Sequence, residues 1–341
     1  MKTLQVTRDL VGSEPLRIVS IGGGTGLSTL LRGLKRYVPE VEITAIVAVT
    51  DDGGSSGRLR REFDVLPPGD IRNCMVALSE DEALMSQLFQ YRFKAGRGLK
   101  GHSFGNLFLT ALNDLTGDFV QTVKLSSEVL ASAGRIFPVT STNVTLEATL
   151  VNGRKVVGES RISKSRARID HISLNPPRCR PLKDSLNAIA QADLITLGPG
   201  SLYTSVVPNL LVKGIPEAIR NSKAVKAYFV NLMWQPGETT GYTASEHVQV
   251  LYDHAGLAFL DHVIINTEEL SPALLRRYAA QNAMPVFNDR DKLRALGVQV
   301  VGAELAMKKH KIRHDPDVAA ALAVNLARGS RTLAAAARKI N

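Results

Sequence analysis

"VSIGGGTGLSTLLRGL", residues 19–34, joins an apolar run to an amphipathic one through Gly22-Gly23-Gly24-Thr25-Gly26. Residues 18–21 are short and apolar, as a buried strand requires. After the glycines, Leu27, Leu30, Leu31 and Leu34 fall at i, i+3, i+4 and i+7, which is one face of a helix. Residues 43–49, "ITAIVAV", are almost continuously apolar, as in a parallel strand covered on both faces. Strand, glycine turn, helix and strand together make one βαβ unit. A dinucleotide fingerprint would need glycine where Leu27 stands, and a Walker A loop would need a lysine that is missing. Two readings stay open for the turn: N–H groups at a helix start that receive a phosphate, or a tight strand-to-helix connection.

Further loops of similar composition follow. In "TDDGGSSGRLR" (50–60), Asp51 and Asp52 end the second strand, where a carboxylate can accept from a ribose or hold Mg²⁺ beside substrate phosphates. Ser55 and Ser56 add hydroxyls, and Arg58 adds a bidentate phosphate donor. In "PPGDIRNC" (67–74), Asp70 suits a helix N-cap, with Arg72 and Asn73 either reaching a ligand or facing solvent. In "GHSFGNLF" (101–108), His102 adjoins Ser103, but no third residue orients them as a triad; His102 and Asn106 are instead candidate hydrogen-bonders. "LGPGSLYTS" (197–205) is a third glycine loop, with Gly198, Gly200, Ser201 and Thr204 as candidates. Three donor-rich loops after strands converge on a pocket for a nucleotide or another diphosphate.

The remaining pattern alternates helix and strand, which implies a mainly parallel sheet with helices on both faces. Ser79 through Glu82 reads as a capping box, and residues 119–133 as a helix stopped by Gly134. Residues 136–174 read as a small antiparallel insertion with Asn152-Gly153 as a hairpin turn and residues 156–162 as the return strand. Thr243 and Glu246 form another capping box, residues 285–287 read as a strand, and Ser271-Pro272 and Asp315-Pro316 start helices.

The chain has 341 residues, 44% of them apolar, with two cysteines, Cys74 and Cys179, that form no metal-binding pattern. Its 42 Lys and Arg against 32 Asp and Glu give +10, which favours anionic partners. The basic residues after Ala303 lack interleaved aromatics, so they read as a solvated helix face and not as a nucleic-acid site. No apolar stretch is long enough to span a membrane. The N-terminal residues have no apolar core of signal-peptide length. Cytoplasmic residence is the expectation.

Taken together, "IGGGTGLSTLLRGLK", "TDDGGSSGRLR", "PPGDIRNC", "GHSFGNL" and "LGPGSLYTSVVPNLL" resemble the bacterial gluconeogenesis factor family, whose superfamily includes 2-phospho-L-lactate transferase. The resemblance runs in order from about residue 17 to 317. It leaves an N-terminal extension (1–16) and a basic, alanine-rich C-terminal helix (318–341) outside a single Rossmann-like nucleotide-binding domain. It implies a homodimeric cytoplasmic regulator that binds the nucleotide sugar UDP-N-acetylglucosamine. Such a regulator serves growth on gluconeogenic carbon sources and normal cell shape, with a protein partner in cell-wall synthesis. It also implies two ligand contacts, Tyr278 on a base or sugar and Arg313 on a diphosphate. The alternative it implies is a Mg²⁺-dependent transferase of the phospholactate type, with Asp52 and Asp70 as metal or acid/base residues; "GGSSGRLR" is the regulator-like form of that loop. A nicotinamide-dependent oxidoreductase is the weakest fit, because of Leu27.

Overall fold

The computed structural model describes residues 14–165, 167–308 and 311–340. The leader reading above falls mostly on residues 1–13, outside the described ones. Along the chain, β1 (Leu16–Gly22), β2 (Val41–Val47) and β3 (Gly134–Pro138) precede the insertion strands β4 (Thr145–Leu150), β5 (Lys155–Val157) and β6 (Ile169–Asn175). Then come β7 (Leu194–Leu197), β8 (Val225–Phe229), β9 (His262–Asn266), β10 (Gln299–Ala303) and a hairpin of β11 (Ala306–Lys308) and β12 (Ile312–His314).

Seven strands form one sheet in the order β10-β9-β8-β7-β1-β2-β3, and every pair in it is parallel. Strands β1 and β7 are neighbours, paired from Ile18 with Leu194 to Ile21 with Leu197, and from them the chain runs outward in opposite directions. The strand order therefore reverses between them, and in an open α/β sheet the ligand crevice lies at the carboxyl ends of such a pair. Both glycine loops, after β1 and after β7, flank this point. The expected mainly parallel α/β architecture with a small antiparallel element is thus what the chain forms.

Local chemistry accounts for the differences from the sequence pattern. Ile136 belongs to β3 of the main sheet, so the antiparallel element starts only at β4. Gly134 does not stop a helix; the helix ends at Val129, and Gly134 opens β3, where a Cβ would lie 3.0 Å from that of Ile43. Ser79 closes one helix, while Asp81 caps the next by accepting from Leu84 N. The return strand stops at Val157, because Gly158 at φ 98° turns the chain into a short helix, Glu159–Ile162. Residues 285–287 make only isolated bridges, since proline supplies no ladder N–H. The Thr243/Glu246 capping box forms, as do the helix starts at Ser271-Pro272 and at Pro316.

The C-terminal helix Pro316–Ile340 is not a solvated appendage over its first half. Ala319, Ala320, Ala323, Val324 and Ala327 are fully buried against the helix Gly24–Leu34 and the sheet. The small side chains permit this approach. At Gly33 a Cβ would stand 1.9 Å from Pro316 O, so no larger residue fits without separating the helices. Arg331, further along, pairs with Asp193 at the foot of β7.

Candidate functional site

The glycine turn carries the chain from β1 directly into the helix Gly24–Leu34. Gly23 is its N-cap, and no side chain of that cap bonds the exposed N–H groups. Gly24 has φ +61°, a left-handed conformation that strains any residue with a Cβ. Gly26 is required for a different reason: a Cβ there would lie 2.3 Å from Pro199 O. The first and third glycine loops therefore touch, and their backbones face a common cleft of about 470 Å³. The loop after β7 enters an uncommon π-helical turn, Leu202–Val206, which starts just after Ser201. Such turns recur at functional positions.

Gly23, Gly24, Thr25, Gly26, Asp70, Gly200, Ser201 and Thr204 all line the cleft, and so does Arg313, which only the family resemblance implied. Gly22 and Gly198 lie just behind it: Gly22 O accepts from Asn209 Nδ2, and Gly198 N donates to Ile21 O. A smaller compartment of about 260 Å³ adjoins the cleft, with Asp70 on the lining of both. Asp51, Ser55, Ser56, Arg72, Asn73 and Asn106 line it. The first four candidate motifs therefore do meet in space.

Asp70 occupies the central position. It is not an N-cap, because Pro68 takes that place in the helix Gly69–Leu78. From the first turn of that helix, its carboxylate instead faces the Gly24 backbone N–H at the start of the glycine-loop helix. Burial pushes its pKa up to about 7, the nearby charge of Asp51 adds to this, and the Gly24 bond and Arg72 pull the other way. Asp51 accepts from Gly53 N at 2.8 Å within its own turn.

Other candidates have different work. Asp52 does not line the cleft; its Oδ1 accepts from Ser160 N at 2.8 Å and so fixes the short helix of the insertion. Arg58 donates to Lys100 O. His102 is not paired with Ser103. Its Nδ1 meets Ser55 Oγ at 2.9 Å, and burial, then Arg58, push its pKa down. Ser103 Oγ accepts from Arg72. Tyr278 stands one step back: its hydroxyl accepts from Ile312 N at 2.8 Å and so holds the strand that carries Arg313 to the cleft rim.

Sequence reading missed Glu159, Ser163, Trp234 and Gln235, which also line the cleft. Glu159 accepts from Thr50 Oγ1, and burial, with Asp70 and Asp51 nearby, raises its pKa well above the ordinary carboxylate range. It arrives from the insertion, which Asp52 fastens in place. Trp234 and Gln235 sit in "NLMWQPG", another loop after a strand, and its glycine and proline carried the same signal as the other loops. Gln235 Nε2 donates to Ser201 Oγ at 2.7 Å, which ties this fourth loop to the third. Among the described residues, no group of three or more His, Cys, Asp or Glu is arranged to hold a metal ion.

The family model for 2-phospho-L-lactate transferase CofD matches residues 18–306. A relative from Nostoc sp. is 52% identical over 303 residues, which cover 88% of this chain and 66% of that protein. The gluconeogenesis factor of Bacillus subtilis is 47% identical over 317 residues, 93% of this chain and 99% of that one. A crystal structure of a Bacillus halodurans protein superposes with a TM-score of 0.88 at 47% identity, covering 91% of this chain and 99% of its own. The chain therefore belongs to the 2-phospho-L-lactate transferase CofD family, among the members that resemble gluconeogenesis factors.

Proposed function

We propose that the protein is a cytoplasmic regulator that binds a nucleotide sugar, UDP-N-acetylglucosamine, in the cleft between the ends of β1 and β7. The observation that carries this reading is the meeting of two glycine loops over a helix start, with Arg313 on the rim. Backbone N–H groups and a guanidinium are the donors that a diphosphate needs. Trp234 and Met233 in the cleft lining offer an apolar face for a base or sugar ring, and Gln235, Ser201 and Thr204 offer hydroxyl and amide partners. The relatives' name supports a role in growth on gluconeogenic carbon sources. A link to cell shape, through a homodimer and a protein partner in cell-wall synthesis, completes the reading.

The family match and the pair Asp70 and Glu159 favour one second reading, a Mg²⁺-dependent transferase using a nucleotide diphosphate-linked donor. Both carboxyls line the cleft, and Asp52, expected beside Asp70, does not. Isothermal titration with UDP-N-acetylglucosamine, GDP and NAD, each with and without Mg²⁺, separates the two. The regulator binds the UDP-sugar with little response to Mg²⁺ and leaves it unchanged on incubation. GDP binding that strictly needs Mg²⁺, or appearance of a product, would favour the transferase.

A further inference from the structure

A third compartment, of about 390 Å³, lies beside the cleft and has no carboxylate among its lining residues. Arg32, Arg72, Arg92 and Arg313 line it, together with Ser28 and Ser86. Arg32 is already engaged with Glu82. Arg72 is not so compensated. It is only 7% exposed and donates to neutral acceptors alone: Ser103 Oγ at 2.6 Å, Asn106 Oδ1 at 2.8 Å and Asn73 Oδ1 at 2.9 Å. Its Nε has no partner. Neither Arg72 nor Arg92 forms an ion pair among the described residues. Burial, then the charge of Arg92, push the Arg72 guanidinium pKa down, with Asp51 and Asp70 pulling it back from the other side.

A buried guanidinium held only by amides and hydroxyls is costly, and a second arginine beside it raises the cost. A dianion entering the compartment removes both penalties. Several forked guanidinium donors around one compartment match a tetrahedral phosphate, which offers acceptors in more directions than a planar carboxylate does. The volume exceeds that of a phosphate ion alone.

We propose that this compartment is a second ligand site, which takes a phosphomonoester of a small molecule beside the nucleotide sugar. Thr25 and Arg313 line both this compartment and the main cleft, so the two ligands are coupled. The coupling rests on the nucleotide-sugar reading; the phosphomonoester site does not.

The test is isothermal titration of glycerol 3-phosphate and of inorganic phosphate into the full chain, alone and saturated with UDP-N-acetylglucosamine. Two variants, Arg92→Ala and Ser86→Glu, change the compartment without touching the main cleft, and thermal melts confirm that they fold. Saturable glycerol 3-phosphate binding is expected in both conditions, tighter than that of phosphate and weakened about tenfold or more in each variant. UDP-sugar affinity in the variants should stay within about threefold. By linkage, glycerol 3-phosphate should change the UDP-sugar Kd by the same factor as the reverse experiment. Probe binding that survives both variants, or that vanishes once the UDP-sugar is bound, would overturn the proposal; the latter would mean one ligand spans both compartments. If the UDP-sugar fails to bind but the probe still depends on Arg92 and Ser86, the nucleotide-sugar reading fails and this site stands.

Discussion

Asp70 shows how far a single residue's role departs from its local signal. In sequence it stands after Pro-Pro-Gly, an ordinary place for a cap. The fold instead aims its carboxylate across to Gly24, where burial and Asp51 raise its pKa to about 7. The consequence has a definite sign. The folded protein holds this proton more tightly than the unfolded chain, so stability falls as pH rises from about 4 to 7 and stays lower above. Asp70→Asn, a neutral mimic, should have an unfolding free energy near that of the wild type at pH 4 and exceed it at pH 8, by on the order of a few kcal/mol at most. Equal shifts at both pH values would show that Asp70 is an ordinary carboxylate. An ionised Asp70 also repels a diphosphate, so UDP-sugar binding should tighten as pH falls from 8 to 6 in the wild type only. The chemical type of most cleft residues was legible because glycine, serine and aspartate after a strand have few other uses. Glu159 was harder to read, because its role comes from burial beside Asp70 and Asp51, which depends on distant segments.

At the scale of elements, strands and glycine turns were legible because their periods and breakers are local. What failed were the junctions: residues 158–162 turn from strand to helix at one left-handed glycine, and Gly134 serves packing against Ile43. Asp52 belongs to this scale. It fastens the short helix that brings Glu159 and Ser163 to the cleft. Asp52→Ala should cost about 1 kcal/mol of stability, the worth of a lost cap, with UDP-sugar affinity changed by less than about threefold. A loss of more than tenfold in affinity at an unchanged melting temperature would place Asp52 on the ligand instead.

For the whole molecule, the alternating pattern led to a parallel sheet, and the order of strands put its reversal between β1 and β7. The sequence did not disclose that the C-terminal helix closes the core, because its alanines look alike on every face. Gly33 is where it docks. Gly33→Ala forces a methyl group against Pro316 O and should destabilise the protein by about 2 kcal/mol, read as a lower denaturant midpoint. An unchanged midpoint would mean that the helix is held elsewhere. The helix also leads out of β12, so its docking sets where Arg313 stands. That residue carries the central claim, that the cleft holds the diphosphate of a nucleotide sugar. Isothermal titration of UDP-N-acetylglucosamine into the wild type and Arg313→Ala tests it most directly. Saturable binding by the wild type, weakened at least about tenfold in the variant, as expected for a lost charge-assisted contact, is the predicted result. Equal affinity in the two proteins, or no binding by the wild type, would contradict it.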